Sequence, residues 1–332
     1  MTDKSEAFFN IQQIESRAKF SFDTEITVNN FHSLIGSYRL DEKVICQVRT
    51  EHGGICHQKH QIGYLGITHD GKEGLIGGDC GKKYFRGNTN FIQEMRRVDA
   101  EIERSNYLKK LEFFKENFLK VSSEYNLLQS NLSNLLSETE KLYSGLPNII
   151  LVFILNAQKT KNWNVFIDVL KKQKDDESHS EKWFPDKLCV LKTIYPLQKI
   201  KTIVSKLSNI RAIFNEACGS DIYSLGTPKL KYYIKETSEV TAINESYEAL
   251  RKEYDSFIKI ENLDYLLYLC HSDKDKEMLV KSILSIKSRK TVTTNSIRKK
   301  IDEIINKVES SFSNHKVRPN KKVVKYRNNE LR

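Results

Sequence analysis

The chain has 332 residues, 39% of them hydrophobic and 29% charged, with six cysteines and a formal net charge of +11. That length and apolar content can bury a core and point to two or three modules, which excludes a wholly disordered chain. The longest apolar run, Ile149 to Leu155, is too short to span a bilayer, so no membrane role is expected. No signal-peptide pattern opens the chain, and the scattered cysteines form no disulfide framework, so a reducing, cytoplasmic setting is expected.

Residues 1–24 read as a weakly specified lead-in. Residues 25–87 have the texture of short strands and glycine turns: Glu25 to Val28, Lys43 to Val48 and Tyr64 to Thr68. Asp70-Gly71 predicts a type I′ hairpin turn, and Asp79 is placed to cap a short helix that begins near Cys80. From Asn90 to the stop signals Gly145 and Pro147 the pattern is one long helix. Its apolar positions Tyr107, Leu111, Phe114, Phe118, Val121, Tyr125, Leu128, Leu132 and Leu135 alternate by fours and threes, with a polar lapse at Thr139 before Leu142. That period predicts a coiled-coil seam over residues 90–145. Val240, Ile243, Tyr247, Leu250, Tyr254 and Phe257 repeat it, so helix 238–259 is the preferred antiparallel partner; self-association would use the same seam.

Residues 146–280 read as a helical body with one β-hairpin, Trp163 to Leu170 and Lys187 to Tyr195. Residues 281–332 form a basic helix, Ser296 to Phe312, and a tail from His315 that is expected to be mobile in isolation. The predicted fold is therefore mainly α: a small N-terminal α+β zinc-binding module, then a long coiled-coil helix packed on a helical body with a short β-hairpin.

The chemistry concentrates in residues 46–87. Cys56 and His60 form a C-x3-H pair on a glycine-rich turn, and Cys80 returns after the predicted hairpin. Thiolates and imidazole at such spacing suit tetrahedral Zn2+. Cys46 is the best fourth ligand, with His57 and His52 as runners-up. About 60 residues bury too little surface for comfortable stability alone, which gives a metal structural work. No carboxylate falls into an H-x-E or H-E-x-x-H arrangement, so a closed structural site is expected. The run Cys56-x3-His60, Gly63, His69-Asp70-Gly71, Leu75-Ile76-Gly77-x2-Cys80-Gly81-x2-Tyr84-Phe85 resembles small zinc modules in poorly characterised proteins of bacterial phages and mobile elements. Their pattern is C-x2-C…H…G…DG…IG-x2-CG-x2-F. The resemblance covers residues 46–87 and departs at the first cysteine, where an insertion separates Cys46 from Cys56. It implies a zinc-stabilised β-hairpin module and no catalytic activity.

Charge supplies the second signal. Residues 281–332 hold 15 Lys/Arg against four acids, which is the whole net charge of the chain. Lys287, Arg289, Lys290, Arg298, Lys299, Lys300, Lys316, Arg318, Lys321, Lys322, Lys325 and Arg327 could replace the counterions of a nucleic acid, and Tyr326 could stack on a base. Walker, nucleophile-elbow and dinucleotide-binding motifs are all missing from the sequence. The expected function is a non-catalytic, zinc-containing nucleic-acid-binding protein, DNA favoured over RNA, in a phage or mobile-element setting. The alternative is a coiled-coil scaffold or accessory subunit of a multi-protein complex such as an anti-phage defence system, with a protein partner or self-association through the seam.

Overall fold

The computed structural model describes residues 5–50, 53–172, 181–287 and 292–320. The chain divides into two compact units: residues 1–118 with 216–235, and residues 119–215 with 236–332.

The first unit is built on a four-stranded sheet in the order β1 (Glu6–Phe8), β2 (Phe31–Ile45), β3 (Lys59–Thr68), β4 (Glu73–Gly77). β1 runs parallel to β2 and the rest is antiparallel. One face packs on α1 (Ile11–Glu15), where Phe8, Ile11 and Ile14 join Tyr38, Leu40, Val44, Leu65 and Leu75. The other face meets α2 (Gly78–Tyr84) and α3 (Thr89–Glu116) through Phe31, Leu34, Ile76, Phe85, Phe91 and Val98. A sheet covered on both faces explains why all five residues of β4 are buried. Phe8, Ile11 and Ile14, within the segment read as a lead-in, are therefore part of the core.

The β3–β4 hairpin turns differently from its sequence expectation. Gly71 N–H closes the turn on the Thr68 carbonyl, and Gly71 itself takes φ +83. His69 and Asp70 hold the central positions with ordinary negative φ, so the turn is not type I′.

In the second unit, α4 (Phe118–Gly145) buries Tyr125, Leu128, Leu132, Leu135, Thr139 and Leu142. The single long helix of the sequence pattern is interrupted at Asn117, whose backbone N–H and side-chain amide both donate to the Phe113 carbonyl. A side chain that bonds locally to backbone competes with helix continuation. The antiparallel partner of α4 is α6 (Leu197–Gly219), not the helix favoured by its heptads. Asn126 meets Arg211, Gln129 meets Ser208 and Glu140 meets Lys201, so the two run in opposite senses. α8 (Val240–Phe257) starts beside Lys206 through Glu239 and reaches Glu138 through Arg251, which sets it alongside α4 in the same sense.

The remaining elements of this unit are α5 (Asn148–Thr160), α9 (Ile260–Tyr265), a 3-10 turn (Leu266–Leu269), α10 (Asp273–Lys287) and α11 (Thr294–Ser311). α7 (Thr227–Ser238) spans the boundary between the units in sequence. A second sheet has the order β6 (Glu181–Val190), β5 (Asn164–Lys172), β7 (Val317–Pro319), all antiparallel. No helix among the described residues is long and apolar enough to cross a membrane.

Two sheets of four and three strands correct the mainly-α expectation with its small N-terminal module. β2 is the largest omission. Its buried positions fall in imperfect alternation because the pairing with β3 shifts register three times, and Ser33, Gly36, Ser37 and Arg39 weaken its strand signal. β7 is the second correction, because residues 316–320 are docked on β5 rather than loose.

Candidate metal centre

Cys46 follows the end of β2, where its N–H donates to the Gln58 carbonyl. The described residues between it and Cys56 fold back on themselves. Arg49 bridges Ile55, Thr50 N–H donates to the Gly54 carbonyl, and Cys56 N–H donates to the Val48 carbonyl. Gly53 makes that reversal at φ +87, a conformation that favours glycine. The long Cys46–Cys56 spacing thus becomes a short distance in space. Cys80 arrives from α2, whose N-cap is Gly77 with Asp79 in the first turn, rather than a helix capped by Asp79.

The three sulfurs lie within 4.8 Å of one another, and Cys56 Sγ is 3.2 Å from Cys80 Sγ. A tetrahedral zinc with Zn–S of about 2.3 Å sets its sulfurs roughly 3.8 Å apart, inside that range. Cys46 and Cys80 are buried and Cys56 is half-buried; all three are free thiols. Gly77 N–H donates to Cys46 Sγ at 3.4 Å. Cysteine is the sole ligand type in this cluster, which is compatible with a bound metal.

Around the thiols stand two further donor atoms. His60 Nε2 is 3.3 Å from Cys80 Sγ, and Gln58 Oε1 is also 3.3 Å from it. His60 faces Val44 on β2, and its ring lies against Gly77, where a Cβ would come within 2.3 Å of it. His57 is exposed, at φ +53. His52 lies outside the described residues.

Burial pushes the Cys46 thiol up, opposed by hydrogen bonds from Gly77 and Val48. Burial also pushes the Cys80 thiol well above its ordinary range, helped by its hydrogen bond with Cys56 and by the charges of Cys46 and Cys56. The buried Cys46 and Cys80 thiols resist ionising unless a cation compensates them. Deprotonated thiolates are what a metal would require.

The basic candidates belong to the second unit. Arg298 and Lys299 are exposed on α11, and Lys316 is exposed just before β7. Lys300 is committed internally: its side chain is 12% exposed and pairs with Asp264 and Glu303. Arg318 on β7 pairs with Asp168 and lies 4.0 Å from the centre of the Trp183 ring. The side chain of Lys287, and all of Arg289, Lys290, Lys321, Lys322, Lys325, Tyr326 and Arg327, lie outside the described residues. Gln58 is a site residue that the ligand spacing did not single out, because its approach depends on the register of β2 and β3; Gly77, a glycine of the Leu75-Ile76-Gly77-x2-Cys80 run, brings its N–H to Cys46 Sγ.

Comparison of the chain with protein-family models, with curated proteins and with solved structures returned no match.

Proposed function

We propose that this is a non-catalytic protein whose N-terminal unit is organised by a zinc ion and whose basic C-terminal region binds nucleic acid, DNA before RNA. Cys46, Cys56 and Cys80 would hold the ion with His60 as the fourth ligand. The observation that carries the metal half is the convergence of three thiols, with an imidazole nitrogen 3.3 Å from one of them. Three thiolates and one imidazole fill a tetrahedral shell and leave no position for a reactive water, which favours a structural ion. When bound, zinc would tie the Cys46–Cys56 reversal to the start of α2.

The nucleic-acid half rests on charge. The +11 of residues 281–332 is the net charge of the whole chain, and a concentrated field attracts a polyanion where dispersed charge does not. Binding measured over a salt series tests it. The logarithm of affinity should fall linearly with the logarithm of salt, with a slope of several units. A flat response, or no binding to DNA or RNA at low salt, rejects this half.

A further inference from the structure

We propose that the outward face of the β6–β5–β7 sheet is a platform for single-stranded nucleic acid, an inference that rests on the reading that the chain binds nucleic acid at all. Cross-strand register defines the face. Phe166 stands opposite Lys187, Asp168 opposite Pro185 and Arg318, and Leu170 opposite Trp183. Directly paired residues share a side of the sheet, so these groups point one way. Val165, Ile167 and Val169 point the other way and are fully buried, which makes the first set the outer surface.

That surface is unlike an ordinary solvated one. Phe166 is 40% exposed, Val190 at the strand end is 58% exposed, Pro185 and Lys187 are exposed, and Trp183 and Leu170 are half-buried. Phe166 and Trp183 stand four residues apart along the ladder, about 13 Å at strand rise. Between them lies the Arg318 guanidinium, 4.0 Å from the Trp183 ring centre. Asp168 brings a carboxylate to the middle of the face, but Arg318 and Asn320 both hold it, at 3.3 and 2.8 Å. The centre of the face therefore carries the Phe166 ring, the Lys187 cation and the Trp183 ring stacked on Arg318, with the Asp168 carboxylate compensated and an exposed Glu181 at the strand end.

Unpaired bases stack on aromatic rings and on guanidinium planes, while phosphates seek cations; a duplex hides its base faces and could use only the charges. Position in the chain points to the same occupant. Asn320, pinned to Asp168, leads directly into residues 321–332, which carry five Lys/Arg against Glu330, with Tyr326 among them. A second copy of this chain would bring the same basic region to the same face, so charge complementarity selects a polyanion.

The test uses the full zinc-supplemented chain and a fluorescein-labelled 20-mer of deoxythymidine, which cannot form a duplex, beside a mixed-sequence duplex of equal length. Anisotropy should show tighter binding of the single strand. Phe166→Ala and Trp183→Ala should each weaken it roughly tenfold while leaving duplex affinity and the salt slope close to wild type. Circular dichroism verifies that each variant is folded. Tryptophan emission gives an independent readout: the chain has two tryptophans, and saturation with the unlabelled 20-mer should quench a component that Trp183→Phe removes. Unchanged single-strand affinity in both variants, or preference for the duplex, or no quenching, overturns this platform while the basic-region reading stands. Failure to bind either oligonucleotide removes both.

Discussion

At the scale of single residues, Cys80 carries the most constraint. Its sulfur meets Cys56, His60 and Gln58 within 3.3 Å while its backbone belongs to the first turn of α2. Gly77 is the quieter half of the arrangement, since its lack of a side chain is what lets the His60 ring lie where it does. At φ −61 an alanine there meets no backbone strain, so Gly77→Ala isolates the steric effect. It should push the imidazole away and weaken zinc binding about tenfold or more, read by competition with a chromophoric chelator. Cys56, His60 and Cys80 are legible in the sequence because ligand spacing is local. Cys46 is legible only as a candidate, because its approach to Cys56 needs the reversal through Gly53. Gln58 is not legible at all, since its closeness comes from strand register; Gly77 is legible as a glycine of the Leu75-Ile76-Gly77-x2-Cys80 run, but its contact with the His60 ring is not.

At the scale of elements, β2 shows how a strand survives its own irregularity. Its pairing slips between Leu34 and Gly36, and α3 repairs the gap: Leu34 N–H donates to Glu94, and Arg97 donates to the Leu34 carbonyl. Arg97 and this N–H hold the Glu94 carboxyl below its ordinary range. A depressed carboxyl contributes stability that is complete above its ordinary pKa, about 4.3, and is lost as pH falls through the folded value. Glu94→Ala should therefore cost about 1–3 kcal/mol at neutral pH in denaturant titration, and the difference from wild type should shrink below pH 4. No change at neutral pH would deny the repair. The helical seam of residues 121–142 was legible from its period, and its polar lapse has a reason: Thr139 donates to or accepts from the buried Tyr195 hydroxyl at 2.8 Å. Its partner was not legible, since α6 and α8 both offer apolar stripes and only tertiary packing ranks them.

At the scale of the whole molecule, charge and architecture divide the C-terminal region differently. Composition groups everything from His315 onward as a basic tail, yet residues 316–320 are structural: Leu170 N–H donates to the Lys316 carbonyl, and Arg318 and Asn320 hold Asp168. A truncation after Asn320 should leave the melting temperature near wild type and reduce both nucleic-acid affinity and the salt slope. A truncation after His315 should also lower the melting temperature by several degrees, because it removes β7 and strands a buried carboxylate. Equal melting of the two truncations would contradict the docking of β7. This distinction is invisible to charge counting, because Arg318 and Lys300 look like surface bases until their partners Asp168 and Asp264 are placed beside them.

The most direct measurement is metal content coupled to stability. Protein purified under reducing conditions, without added metal, should carry one zinc per chain by elemental analysis. Chelation should lower its melting temperature and added zinc should restore it, while Cys80→Ser should be zinc-poor and insensitive to the chelator. Metal-free protein with an identical melt in chelator and in zinc would contradict the account at its root.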